Sequence, residues 1–408
     1  MIAKLYDIKH HGEDGPMGIE RRAILAGGMA LAAWGSIPAK ARTAPLDIAV
    51  IDRRRILLAA KRYLAEQPVT ITAFRAARSP GTAHDYYSEG DYWWPNPADP
   101  GGPYVRRDGF SNPARFDAHR QALIRLSVQV PALVAAWRLT GDLRYARHAQ
   151  CHLNAWFVDP QTRMAPHLDF AQALIGINTG RGIGVIDTLH LVEVARAVAV
   201  LDSGSPQRFR LAHGDAIRAW FRAYLRWLTT SKNGTDERDE RNNHGSCWAL
   251  QAAEFARLVG DGPVRSFVRD RFRTRLIPDQ IAPDGSQPRE IARTKPYSYS
   301  LFNLDVLAAL AHVASDDGDL WRFATSDGRS LARALAFMAP YIADKARWPF
   351  KPDVEYFDAL PVRQVALLFG GQALGRTADL DLWKRLNPDP QLPEIIRNFP
   401  LRQPVLWV

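Results

Sequence analysis

From about residue 115 almost to the end of the chain, apolar side chains recur every three or four positions with polar ones between them, the period of amphipathic helices. The spacing predicts helices over roughly 115–139, 142–157, 183–201, 211–230, 244–260, 264–276, 299–314, 328–342 and 360–372, and an earlier one over 48–66 that stops before Pro68. Joints such as Thr140-Gly141-Asp142 and Gly260-Asp261-Gly262 carry ordinary helix punctuation. Alternating strand patterns are scarce. Successive helices of this length without a heptad seam predict an all-α fold of stacked helical hairpins, either an open solenoid or a ring. No TPR, HEAT or ankyrin consensus recurs at a fixed period.

Polar, glycine-containing stretches over 83–113, 176–184, 231–245 and 283–300 interrupt the helices. In a ring of hairpins they could gather at one end and form a cleft. The first belongs to a longer segment, 75–113, that has no periodicity at all. Loops of that length inside a compact domain are functional or disordered. Disorder fits poorly, because Tyr86, Tyr87, Tyr92, Trp93, Trp94 and Tyr104 are too many aromatic residues for a segment that avoids burial.

At 408 residues and 47% apolar composition the chain can bury a large core as one repetitive unit. Residues 1–41 read as an export signal, with a possible mis-called extension before Met17. Arg21-Arg22 precede a short apolar run, and Pro38-Ala39-Lys40-Ala41 resembles a cleavage site. The run is too short for a stable membrane span, so a periplasmic or secreted protein is expected. The formal net charge of +10 predicts attraction to a polyanion. Basic residues are spread through the chain without a nucleic-acid-binding pattern, and export points away from such a partner. Cys151 and Cys247 have no CxxC partner and no metal-ligand spacing such as HExxH occurs, so neither metal nor cofactor is expected.

Four segments could carry chemistry. His84-Asp-Tyr86-Tyr87-Ser-Glu-Gly-Asp-Tyr92-Trp93-Trp94 offers flat faces on which sugar rings stack. Gly176-Ile-Asn178-Thr-Gly180-Arg181-Gly182-Ile-Gly184 lacks the βαβ setting of a dinucleotide fingerprint. It suggests close backbone approach, with Asn178 and Arg181 exposed. Asn242-Asn243-His244-Gly245 follows the charged run 236–241 and opens a helix, Asn being a favoured N-cap. The fourth segment concentrates Gln287, Arg289, Glu290, Arg293, Tyr297 and Tyr299 just before another helix.

Taken in order, HDYYSEGDYWWP, LDFAQALIGINTGRGIG, NNHGSCW, DGSQPREIAR and SYSLFNLD resemble the successive motifs of the alginate lyase superfamily of (α/α) toroid polysaccharide lyases, over about residues 75–380. The resemblance implies an (α/α) toroid, an incomplete barrel of about six or seven hairpins spanning 42–408. It also implies cleavage of anionic uronic-acid polysaccharides by β-elimination. The family's Asn-His pair falls on Asn243 and His244, and its Arg and Tyr on Arg293 and Tyr299. The Arg-to-Tyr spacing is one residue shorter here, which keeps Tyr297 as an alternative. His84, Tyr86, Tyr87, Trp93, Trp94, Asn178, Arg181, Gln287 and Tyr297 are the expected substrate contacts.

Elementary chemistry asks for the same residue types. A base removes the C5 proton of a 4-linked uronide while charge builds on its carboxylate, and preorganised donors aimed there supply much of the rate. Arg293 and Asn243 suit that task. Tyr299, flanked by cations, is expected to ionise more readily than in water and to serve as base, then acid. His244 is either the base for an anti elimination or the partner that tunes Tyr299. Alginate ranks first as substrate and glucuronan second. A glycoside hydrolase would need paired carboxylates, with Asp85, Glu89, Asp169 and Glu290 available. A non-catalytic polysaccharide binder would need only the aromatic residues.

Overall fold

A computed structural model describes residues 46–203, 209–316 and 318–408, which form one compact unit. The expected export signal lies outside the described residues. The helices are α1 (Ile48–Tyr63), α2 (Ala118–Thr140), α3 (Leu143–Phe157), α4 (Leu191–Asp202), α5 (Gly214–Thr230), α6 (Lys232–Asp239), α7 (Asn243–Val259) and α8 (Gly262–Arg271). After them come α9 (Ile277–Gln280), α10 (Pro288–Ile291), α11 (Pro296–Ala314), α12 (Asp319–Arg322), α13 (Leu331–Ala343), α14 (Val365–Leu374), α15 (Thr377–Arg385) and α16 (Pro393–Arg397).

Two kinds of helix build an (α/α) toroid. The inner helices α2, α4, α7, α11 and α14 pack each on the next, and α1 packs on α2. They are apolar almost all round, as a helix with neighbours on every side must be. Fourteen of the seventeen residues of α7 are buried, and sixteen of the nineteen of α11. The outer helices α3, α5, α8, α13 and α15 bury one stripe. In α5 that stripe is Ile217, Trp220, Phe221, Tyr224, Leu225 and Leu228, at helical spacing. Among the described residues α2 alone is long and apolar enough to cross a membrane, and it is a mostly buried core helix.

The sequence pattern misplaces some boundaries. The expected helix 183–201 is a 3₁₀ segment, Gly182–Thr188, followed by α4, and 264–276 continues from α8 into a π-helical turn, Phe272–Leu276. The charged run before Asn242 is largely helical, forming part of α6, and α15 lies beyond the last expected helix. The aromatic loop is also more ordered than its composition suggests. Its strand Tyr87–Glu89 runs parallel to Phe170–Ala173, and Trp93–Trp94 pairs with Val105–Arg106. The first pairing ties the loop to the glycine-rich segment. There a Cβ on Gly180 would come within 2.0 Å of the Asp169 carbonyl oxygen, and one on Gly184 within 2.5 Å of Ala171, so close backbone approach does account for these glycines.

The last ten residues are buried apart from Val408. The segment packs against α1, α2 and α4, and Trp407 accepts a hydrogen bond through its carbonyl from His312 of α11. Glu193 of α4, itself fully buried, accepts the N–H groups of Arg402 and Gln403 and the indole N–H of Trp407.

Candidate active site

The N-terminal ends of α7 and α11 open into a cavity of about 320 Å³, walled on its other sides by the aromatic loop, the glycine-rich segment and the C-terminal end of α16. Asn242 caps α7, its side chain accepting from the His244 amide at 3.0 Å. This places Asn243 and His244 in the first turn, facing the cavity. The imidazole is fixed from behind: its Nδ1 lies 2.8 Å from Oε1 of Glu237, a residue with no exposed surface. That bond leaves Nε2 for a substrate. Burial alone would depress the imidazole, but the Glu237 carboxylate outweighs it, so the His244 pKa is raised. Glu290 holds Asn243 in the same manner, accepting its backbone N–H at 2.8 Å and its side-chain amide at 2.6 Å.

Tyr299 enters from the first turn of α11. Its hydroxyl lies 2.8 Å from that of Tyr92, and the Arg293 guanidinium sits over its ring at 4.6 Å from the centroid. The expectation that neighbouring cations lower the Tyr299 pKa is overturned. Burial raises it well above the ordinary phenol value, the Tyr92 pairing adds to the rise, and Arg293 opposes without prevailing. The resting phenol is therefore protonated. Arg293 itself is engaged by Asp108, with Nε at 3.2 Å and Nη2 at 2.9 Å. These bonds pull Asp108 down to about 2 against the effect of burial.

Trp93 and Arg181 also line the cavity, and Arg181 grips Gln172 through the Gln172 carbonyl and side-chain oxygen, each at 3.1 Å. Arg181 is half-buried here rather than freely exposed. Gln172 is another lining residue and holds a left-handed backbone, φ 50°. Such a conformation costs a non-glycine residue about 1 kcal/mol or more. Four hydrogen bonds of its own, from Arg181, to Asp187 and from its amide to Ser88, keep it there.

Other expected contacts lie elsewhere. Tyr297 is fully buried against Trp348 and Phe357 and donates to the Tyr341 carbonyl at 2.9 Å, so Tyr299 is the phenol in the cavity. Tyr86 donates to Asp187 and Tyr87 to Glu89, both as core residues. Trp94 donates to the Phe110 carbonyl and braces its own loop. Asn178 accepts from the Leu174 amide within its turn, and Gln287 is buried in a bond to the Ser300 carbonyl. His84 bonds the Arg163 carbonyl in a separate surface depression. Polarity or aromaticity singles these side chains out, and each is engaged by a hydrogen bond within the fold.

The sequence pattern did not point to Arg106, Gln172, Glu240, Arg397 or Asn398, and it noted Tyr92 only among the loop's aromatic residues. Nor are the hydrolase carboxylates in place. Asp85 pairs with His167, Glu89 with Arg78, Asp169 with the Trp227 indole and Glu290 with Asn243. The carboxylates that do line the cavity are Asp91 and Glu240, and Asp91 is held by three guanidinium groups. Next to the cavity, and sharing Arg181, Ile183, Glu240 and Asn242 with it, runs a groove of about 1400 Å³ that also carries Arg238, Arg241, Arg289 and Arg329.

A ring of paired helices with a cationic, phenol-bearing cleft at the N-terminal ends of its inner helices defines the class of (α/α) toroid proteins. The alginate lyase family profile matches residues 70–348, and the chain belongs to that family. An alginate lyase from Bacteroides ovatus superposes with a TM-score of 0.75 at 28% identity, over 88% of this chain and 93% of that one. A variant of alginate lyase A1-III, from Sphingomonas species A1, complexed with a tetrasaccharide aligns with a TM-score of 0.54 at 14% identity, over 88% and 94%, a likeness of fold. No curated protein matches the chain. The protein is a polysaccharide lyase.

Proposed function

We propose that this lyase cleaves a 4-linked polyuronate by β-elimination, with alginate the first candidate and glucuronan the second. The observation that carries the proposal is the convergence on one cavity of a phenol, Tyr299, paired with Tyr92, and an imidazole, His244, held by a buried carboxylate. The N-terminal ends of α7 and α11 add partial positive charge, as helix ends do for bound anions. The complex of the fold relative with a tetrasaccharide supports a saccharide chain as the ligand.

In this mechanism His244, whose protonated form Glu237 favours, and the second side-chain N–H of Asn243 steady the uronate carboxylate as charge moves onto it. Arg293 contributes its field, since Asp108 takes its forked donors. Tyr299, protonated at rest, first gives its phenol proton to solvent, Arg293 favouring the phenolate against burial; the phenolate then accepts the C5 proton and returns a proton to the leaving O4. One group can do both only where the C5 hydrogen and O4 share a face, as they do in mannuronate and glucuronate but not in guluronate. Polymannuronate and glucuronan should therefore yield the ultraviolet absorbance of an unsaturated uronate, and polyguluronate should yield little. New reducing ends without that absorbance would instead mean hydrolysis, and preferential cleavage of polyguluronate would assign the base to His244. We also take residues 1–41 as an export signal, to be tested by N-terminal sequencing of the periplasmic form; an intact Met1 or Met17 there would reject it.

The groove supplies the path for the rest of the polymer. Arg289 lines it with its Nε on the Asp279 carbonyl at 3.3 Å, an exposed guanidinium placed for a further carboxylate. Arg289→Ala is expected to raise KM for polymer about tenfold, the scale of one lost charge-assisted hydrogen bond, with kcat little changed. Initial rates on polymer and on a disaccharide separate the two, because the short substrate should not register the loss.

A further inference from the structure

Asp91 and Tyr92 are adjacent in the aromatic loop, and Asp91 is gripped from three directions. Arg115 reaches Oδ1 at 2.8 Å and Arg120 reaches the same oxygen at 2.5 Å, both from chain near the start of α2. The third grip comes from the far end of the chain: Arg397, the last residue of α16, bonds Oδ2 at 2.7 Å. Asp91 is 4% exposed. Burial would raise its pKa, and the three cations hold it far below the usual carboxylate range.

Arg397 is well placed to transmit position. Its guanidinium also bonds Glu394 at 3.1 Å, and Glu394 lies 3.8 Å from the Lys295 ammonium, which is 5.8 Å from the Tyr92 ring centroid. The C-terminal segment thus touches Tyr92 by two routes, through Asp91 behind it and through Lys295 beside it. The segment is itself anchored. The Arg397 carbonyl bonds His190 at 3.0 Å, and the chain that follows is tied to Glu193. Arg397 lies outside the residues that the family profile matches.

We propose that Arg397 is a positioning residue that holds the Asp91–Tyr92 stretch so that the Tyr92 hydroxyl stays on that of Tyr299. The proposal rests on Tyr299 being the proton-transferring group. Removing Arg397 leaves Asp91 with two guanidinium partners, so the loop loses an orientation and not its charge balance.

The test is a cycle of Arg397→Gln, Tyr92→Phe and the double variant, with Arg397→Lys as the conservative replacement, all assayed on the uronan that the native enzyme cleaves. Arg397→Gln should lower kcat by about the same factor as Tyr92→Phe with KM within about twofold. The double variant should be no slower than Tyr92→Phe alone, since residues acting through one contact are not additive. Arg397→Lys should recover most of the rate. A raised KM at unchanged kcat would mean that Arg397 meets the substrate directly, and multiplied losses in the double variant would separate it from Tyr92. Either result overturns the proposal. If Arg397→Gln does not fold, Arg397→Met, which keeps the length of the side chain without its charge, is judged on the same criteria. If native protein gives no unsaturated product from any uronan, the reading of the site fails first. Hydrogen exchange over residues 86–94 then decides the positional claim, and unchanged protection in Arg397→Gln, or in Arg397→Met should Gln not fold, refutes it.

Discussion

Tyr299→Phe is expected to bind a uronan almost as the native protein does and to turn it over at least about 10³-fold more slowly, the range lost when a general acid–base group is removed. The phenyl ring keeps its place under Arg293, since that contact is made by the face and not by the hydroxyl. Asn243, His244 and the groove are untouched, so binding has no reason to collapse. What disappears is the one oxygen that in this scheme takes the proton from C5 and delivers one to O4. Single-turnover rates and a direct binding isotherm measure the two quantities separately. Full turnover by this variant would transfer proton movement to His244 and remove the basis for a same-face elimination.

Glu237→Gln has the second largest expected effect. The amide oxygen can still accept from Nδ1–H, so the imidazole keeps its direction while losing the charge that favours its protonated form. In the native protein the raised pKa keeps His244 protonated to a higher pH than usual, and that charge is lost as pH rises through the raised value. In the variant, burial acts unopposed by Glu237 and the charge is lost at lower pH. Near neutrality kcat/KM should then fall about 10²-fold, the scale of one electrostatic contact to the developing charge. The deficit should shrink in acid, where both proteins carry the proton. Superimposable pH profiles for the two proteins would show that the pair does not set the charge at the site.

Much of the fold could be read from residue order. The helical period was strong enough to place nearly all the long helices, because inner and outer helices both need apolar residues at i, i+3 and i+4 to bury against neighbours. The glycines at 180 and 184 announced close backbone approach and have it. Asn242, Asn243 and His244 could be assigned to a helix start, because capping is a local interaction. A charged run such as 236–241 reads as solvated for an equally local reason, and there the inference breaks down. Glu237 looks like its exposed neighbours in sequence but is the one turned inward against His244.

Tyr297 and Tyr299 mark the boundary most clearly. Two residues apart on one helix, they point about 200° away from each other, so one had to face the cavity and the other the core. Nothing in their own neighbourhood says which. Trp348 and Phe357, about fifty and sixty residues later, take Tyr297 into the interior and leave Tyr299 to Tyr92. The sequence by itself determined the helices, their caps and the types of residue on offer, since these follow from contacts within a few positions. The tertiary structure decided which phenol, which arginine and which carboxylate meet, because Tyr92 and Tyr299 lie 207 positions apart and Asp91 and Arg397 lie 306 apart. Only the packing of the helices and loops into one toroid brings them within hydrogen-bonding distance.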